Sequence, residues 1–205
     1  MKKIMKQEKP ETNSELCEII QAELRKQGPD ADLNFIDTSG ITDMNMLFYN
    51  LGCPVHNIKI DKWDTSNVRS MSRMFLHCSE FNADLSDWNT SKVTDMASMF
   101  FECKKFNSDI SGWDVSKVEN MYMMFFRCHE FESDLSKWNV SKVREIDGMF
   151  FECTKFNSDL SGWDVSRVED VSDMFRGCSS FDFECIRDWV WPIPQEIYDR
   201  LKLKG

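Results

Sequence analysis

Hydrophobic positions recur along this chain with a period of 25 residues. The tryptophans keep that spacing at Trp63, Trp88, Trp113, Trp138 and Trp163. Cysteines keep the same spacing at Cys53, Cys78, Cys103, Cys128, Cys153 and Cys178. A fixed period in this range is typical of repeat proteins, in which each unit buries its apolar face only against its neighbours. The pattern therefore predicts a stacked solenoid with one continuous core.

Each 25-residue unit, which we call a rung, divides into two halves. In the first half, for example 81–88, polar residues alternate with apolar ones, which predicts a short strand in a parallel sheet. The second half carries apolar residues at offsets that fall on one helical face. In one rung these are Val93, Met96, Met99, Phe100 and Cys103. The predicted fold class is an α/β repeat with one short strand and one short helix per rung.

Polar residues mark where the predicted helices begin. Two capping boxes support such starts, Ser116 with Glu119 and Ser166 with Glu169, and Ser91 and Ser141 are candidate caps without that glutamate. Near the amino terminus, 12–27 predicts an amphipathic helix that a capping box of Thr12 and Glu15 begins and Gly28 ends.

The chain reads as a single solenoid domain over 1–205. Its predicted parts are an amino-terminal helical cap (1–31), about six repeats (32–188) and a carboxyl-terminal cap (189–205) with a short helix over 195–203. The first rung is degenerate, because Ile36 takes the tryptophan position and Phe48 takes the position of the later core phenylalanines.

The motif Phe-Asn-x-Asp-Leu-Ser-x-Trp, followed by Met-Phe-x-x-Cys, runs through five consecutive units from about Ile60 to Phe181. It resembles the repeat of BspA-like surface proteins, a leucine-rich-repeat-like family of many bacteria, including mycoplasmas. The resemblance implies a curved, right-handed, leucine-rich-repeat-like solenoid that binds proteins, often at a cell surface.

The net charge of the chain argues against two classes of partner. The formal net charge is -10, from 35 acidic and 25 basic residues. This balance argues against nucleic acid and against an anionic membrane, because both attract clustered positive charge. No stretch approaches the roughly 20 apolar residues of a membrane span, and no secretory signal follows the basic amino terminus. As written, the chain is expected in the cytoplasm as a monomer, or at the cell surface if a signal was removed.

The cysteine column is the most prominent chemical feature. One cysteine per rung does not bring four ligands around a point, as a structural zinc site requires. We expect these residues to pack in the core as reduced thiols, with disulfides between adjacent rungs and a metal site as the alternatives. No cofactor is predicted.

Two further columns are candidate partner-binding sites. The first is acidic and consists of Asp84, Asp109, Asp134 and Asp159. Stacked like charges repel, so water and turn amides, a calcium ion between rungs or a basic partner must offset them. The second is apolar and consists of Leu76, Phe101, Phe126 and Phe151. Its members either form an exposed interaction stripe or wedge against the next rung.

No arrangement of residues resembles an active site. The three histidines, His56, His77 and His129, show no spacing typical of a nucleophile and its base. A column of Lys92, Lys117, Lys142 and Arg167 reads as a solvated face. The sequence therefore predicts a non-enzymatic protein–protein interaction scaffold inside the cell, with a bacterial surface or adhesion protein as the alternative.

Overall fold

The computed structural model describes residues 8–49, 51, 54–187 and 189. This part of the chain contains one α-helix, α1 (Asn13–Gln27), and one 3-10 helix, Phe183–Ile186. It contains no extended strand, and parallel pairing is limited to isolated bridges, which join consecutive rungs, such as Asp95 with Asn120, or Glu8 with Ile36. The predicted α/β, leucine-rich-repeat-like fold with one strand and one helix per rung is therefore wrong.

Helix α1 forms where the sequence predicts it. Its N-cap is Thr12, whose hydroxyl accepts the Glu15 amide at 3.2 Å, while the Glu15 carboxylate accepts the Glu11 amide at 2.8 Å. In a standard capping box the Glu15 carboxylate would accept the amide of Thr12. Here it accepts the amide of Glu11, one residue earlier. Gly28 ends the helix with a φ of 84°. The buried apolar face of α1 consists of Leu16, Ile20 and Leu24.

The segment predicted as a helix in each rung is a run of tight turns. The amides of Ser98 and Phe100 donate to carbonyls of the next rung, those of Tyr122 and Met124, at 2.7 and 2.9 Å. Between them, the Met99 amide donates back three residues to Met96. In an α-helix each amide would instead donate to the carbonyl four residues earlier. Three-residue turns produce the same apolar offsets as a helix, which is why the sequence pattern indicates the wrong element.

These turns have left-handed backbone at two positions in each of the four central rungs. Non-glycine residues with φ between 51° and 62° are Met46, Arg73, His77, Ser98, Glu102, Met123, Arg127 and Glu152. Gly148, with φ of 62°, takes the position of Ser98, and Gly177, with φ of 81°, takes the position of Glu102. The conformation costs a side-chain-bearing residue about 1–2 kcal/mol. Hydrogen bonds to the next rung, such as Glu102 N to Phe126 O at 2.7 Å, hold the backbone there.

The serines predicted as helix caps lie in turns of a different kind. The Ser116 amide donates to Oδ1 of Asp114 at 3.0 Å, and the Ser166 amide donates to Oδ1 of Asp164 at 3.1 Å. Each pair closes an Asx turn, in which an Asp or Asn side chain accepts the amide two residues later. Ser91 and Ser141 close the same turn with Asn89 and Asn139. The capping boxes predicted at Ser116 and Ser166 are therefore wrong.

The arm predicted as a strand is joined to its neighbours by side chains. The Asn82 side-chain oxygen accepts the Asn107 amide at 2.8 Å, and the Ser108 hydroxyl accepts the Leu85 amide at 3.1 Å. The Trp113 indole donates to the Leu85 carbonyl at 3.0 Å. Because side chains satisfy these backbone groups, no backbone ladder forms and the arm is not a strand.

Aromatic columns fill the core. The rings of Trp63, Trp88 and Trp113 stack with successive centroids 6.3–6.4 Å apart and planes within 8°. Two phenylalanine columns run beside them, and each rung pairs one ring from each column, as Phe100 does with Phe106 at 3.9 Å. The predicted role of Phe48 is confirmed, because its ring stacks on Phe75 at 4.9 Å.

Both ends of the stack depart from the repeat. Phe183 stands edge-on to Phe175 and Phe181, with interplanar angles of 80° and 89°, and so ends the face-to-face columns. The predicted carboxyl-terminal cap, apart from Trp189, and its helix over 195–203 lie outside the described residues, as does Cys53. Within the part of the chain that is described, no helix has the length and apolar character needed to cross a membrane.

Substitution of Gly177 tests whether the turns need left-handed backbone. A Cβ there would lie 2.9 Å from Cγ and 3.3 Å from Cα of Glu152, on backbone with φ of 81°. We expect Gly177→Ala to lower the free energy of unfolding by about 1–2 kcal/mol, measured by denaturant titration. Gly112→Ala is the matched control, because a Cβ there meets nothing within 4 Å. Equal stability of the two variants would contradict this account of the turns.

Candidate functional site

Four of the five described members of the cysteine column are buried in the core, as predicted, while Cys78 is partly buried against it. Cys103, Cys128, Cys153 and Cys178 are buried. Each thiol donates to a phenylalanine carbonyl of the previous rung at 2.8–3.0 Å, as Cys128 does to Phe100 O. Burial raises the pKa of Cys178 to about 12 and that of Cys128 well above the ordinary value for a thiol.

These thiols are structural hydrogen-bond donors. The described cysteines are all free, and no group of three or more His, Cys, Asp or Glu side chains in the described ranges is arranged to hold a metal ion. A disulfide would consume two thiol hydrogens and remove one of the two donors to each of these carbonyls, which also accept a backbone amide, as Phe100 O does from Cys103 N. The column therefore fits the reduced state.

Native-state alkylation tests the cysteine column. We expect iodoacetamide at about pH 8 to modify the partly exposed Cys17 and Cys185 well before Cys103, Cys128 and Cys153, because the thiolate is the reactive form. Peptide mass spectrometry after timed quenching gives the order, and the unfolded chain, in which all sites are open, is the control. Rapid modification of Cys128 in the folded chain would contradict the assignment.

The aspartate column is exposed but committed to turns. Oδ1 of Asp84, Asp109, Asp134 and Asp159 accepts the amide of the serine two residues later at 2.9–3.0 Å. Hydrogen bonds from the amide and hydroxyl of that serine lower the pKa of all four carboxyls. Neighbouring carboxylates act in the opposite direction, as Asp134 does on Asp109. The turn amides thus offset the repulsion that stacking creates.

The lowered pKa values make stability depend on pH in acid. A carboxyl whose pKa is lower in the folded chain stabilises the fold above its unfolded pKa of about 3.9, and this contribution is lost as the pH falls through the folded value. We expect a variant with Asp84, Asp109 and Asp134 changed to Asn to lose less thermal stability below about pH 4 than the wild type. Asparagine keeps the acceptor for the turn. Melting curves with parallel pH dependence would contradict this role.

The apolar column is half-buried and ordered. The rings of Phe101, Phe126 and Phe151 lie parallel, with successive centroids 4.5 Å apart. The ring of His77 stands edge-on to Phe101 at 5.5 Å, and the guanidinium of Arg176 lies 5.4 Å from the Phe151 centroid. Ring faces therefore pack against the next rung while part of each side chain stays accessible. We call Leu76, Phe101, Phe126 and Phe151 the phenylalanine column.

Each member of that column is followed by a charged or ionisable residue. The resulting column, which we call the charged column, consists of His77, Glu102, Arg127 and Glu152. Arg127 donates to Oε1 of Glu102 at 3.0 Å and to Oε2 of Glu152 at 2.8 Å. His77 Nδ1 lies 3.1 Å from Glu102 Oε2. Sequence reasoning missed this column, although its alternating sign at 25-residue intervals was the available signal.

The first rung extends the same face. Tyr49 stands at the position that Leu76 takes in the next rung and is 39% exposed. Its ring lies 6.1 Å from that of His77. A cavity of about 460 Å³ opens here, with Tyr49, Leu76, His77 and Glu80 in its lining. The phenylalanine column, the charged column and this cavity form one surface that is apolar along its centre and charged along its side.

The comparisons with known proteins give a family. The family described as "Mycoplasma protein of unknown function, DUF285" matches residues 21–134 and 109–196. No curated protein matches the chain. The resemblance to a repeat family of mycoplasmas is thereby confirmed at that level, whereas the leucine-rich-repeat fold is not what the structure has. Since the two matches span most of its length, the chain belongs to the DUF285 family.

Proposed function

We propose that this protein is a non-enzymatic scaffold that binds a protein partner through the phenylalanine column and the charged column. The observation that carries the proposal is the stack of Phe101, Phe126 and Phe151, which is half-buried and bordered by ordered charges. An apolar strip with a polar rim is the usual anatomy of a protein–protein interface, in which aromatic residues and arginine are enriched.

Preorganisation supports the proposal. The rings stack on one another and Arg127 is held between two glutamates, so these side chains lose little freedom on binding. Immobilising a long side chain in an interface otherwise costs about 0.5–1.5 kcal/mol. A surface whose side chains are fixed in advance avoids much of that cost.

The aspartate column is a weaker candidate for partner binding. Each aspartate already uses one carboxylate oxygen for the turn that shapes its own rung. Substitutions there would change local backbone and binding together, whereas the phenylalanine column closes no turn through its side chains. We therefore assign the aspartates a structural role within this proposal.

The proposal places the protein in the cytoplasm, with the cell surface as the alternative. The thiols of the cysteine column act as donors, which suits a reducing compartment such as the cytoplasm. The resemblance of the motif to BspA-like surface repeats supports binding in general and favours the alternative of a surface or adhesion protein. Protease treatment of intact native cells separates the two, because only a surface protein is cleaved before lysis.

Site-specific photo-crosslinking tests the binding surface. We expect a chain with benzoylphenylalanine at Phe126 to crosslink to protein in native cells, because this aromatic side chain replaces a ring on the proposed surface. The matched control carries the same group at Lys117, an exposed position outside the phenylalanine and charged columns. Equal crosslinking from both positions, or none from Phe126, would contradict the proposal. Melting curves of both variants establish that each is folded.

A further inference from the structure

The charged column alternates in sign from rung to rung. In chain order it is His77, Glu102, Arg127 and Glu152; Arg127 forms ion pairs with Glu102 and Glu152, and His77, which is cationic only when protonated, lies 3.1 Å from Glu102. Three residues further along each rung, a second column alternates in the opposite phase and consists of Glu80, Lys105, Glu130 and Lys155. Lys155 forms an ion pair with Glu130 across one rung. We call this the outer charged column.

Both columns share a symmetry. Reversing the order of four alternating charges places each charge opposite one of the other sign. In the charged column, Glu102 exchanges places with Arg127, and His77 with Glu152. In the outer charged column, Lys105 exchanges with Glu130, and Glu80 with Lys155. A twofold axis produces this reversal. It lies in the plane of the surface, perpendicular to the stacking direction, and passes between the rungs of Phe101 and Phe126.

We propose that the partner of this surface is a second copy of the same chain, docked antiparallel about that twofold axis. The inference rests on the proposed function, because it names the partner of the same surface. An isologous contact of this kind requires a self-complementary patch, in which residue i meets j and j meets i. The two charge columns meet that requirement, and the dimer replaces the monomer expected from the sequence.

The apolar residues match under the same operation. Phe101 of one copy lies opposite Phe126 of the other, and Leu76 lies opposite Phe151. At the ends, Tyr49 lies opposite Arg176, which already rests over the Phe151 ring in its own chain. A guanidinium over an aromatic ring is a favourable pair. Apolar contacts therefore run along the centre of the interface, with complementary charges along one side.

The size of the surface predicts a weak dimer. Five rung spacings separate Tyr49 from Arg176, which at about 4.8 Å each gives a length of about 24 Å. Three columns of side chains over that length bury less than the about 800 Å² per partner of a standard interface. We expect self-association that depends on concentration and weakens with added salt, because screening reduces charge pairing.

Charge exchange between two variants tests the proposal. Glu102→Arg places arginine opposite Arg127 in its own dimer, and Arg127→Glu places glutamate opposite Glu102. By sedimentation velocity we expect each variant alone to self-associate roughly tenfold or more weakly than the wild type. Mixed in equal amounts, the two variants restore every opposite-sign pair, and we expect them to associate with each other as the wild type does with itself.

Both changes suit the backbone, but each removes ion pairs of Arg127 within its own chain and stacks like charges there, at a cost of about 0–1 kcal/mol per exposed pair. Glu102 and Arg127 occupy equivalent left-handed positions, with φ of 58° each, so each substitution installs a residue that the next rung already carries. Melting curves check this directly. Lys142→Glu, an exposed change outside the three columns, is the control and should leave self-association unaltered.

Two results would overturn the antiparallel dimer. One is a wild type that stays monomeric up to about 1 mM. The other is a wild type that dimerises while the mixed variants stay monomeric. The mass of the product crosslinked from Phe126 separates this inference from the proposed function: a second copy supports both, a different protein supports only the proposed function, and no product contradicts both.

Discussion

Alternate backbone amides of each turn segment before the last find their acceptors in the following rung, and the rest of the structure depends on this pairing. Ser98, Phe100 and Glu102 donate their amides to the next rung and not within their own, and the backbone is left-handed at Ser98 and Glu102. A rung alone would therefore leave donors unpaired in the core, at about 1–3 kcal/mol each. Stacking in register removes that penalty and fixes the 25-residue period.

Because the rungs stack in register, each side chain lies next to the equivalent side chain of the previous rung. For aromatic residues this is favourable, and the rings of Trp88 and Trp113 stack almost parallel. For carboxylates it is unfavourable. The chain meets that problem in two ways. At Asp109 and its equivalents, turn amides stabilise each charge in place, whereas in the charged column Glu102 alternates with Arg127. The second solution creates the ordered surface on which the proposed binding role rests.

The sequence predicts the repeat, helix α1 and the core positions because these follow from spacing alone. It does not predict the local elements, since three-residue turns and an α-helix place Val93, Met96 and Met99 alike. The arm near Leu85 has the alternation of a strand, but Ser108 and Trp113 take the hydrogen bonds that a strand partner would supply. Of the site, the phenylalanine column is evident from the repeat. The charged column becomes visible only when equivalent positions of successive rungs are compared.

The most direct test of this account is the acceptor of the Phe100 amide. Scalar couplings across hydrogen bonds, measured by NMR on the labelled chain, identify which carbonyl a given amide contacts. We predict a coupling from the Phe100 amide to the Met124 carbonyl of the next rung, to which it lies 2.9 Å away. A coupling to the Met96 carbonyl, four residues earlier, would mean that the segment is helical. That result would contradict the stacked-turn architecture and the columns that depend on it.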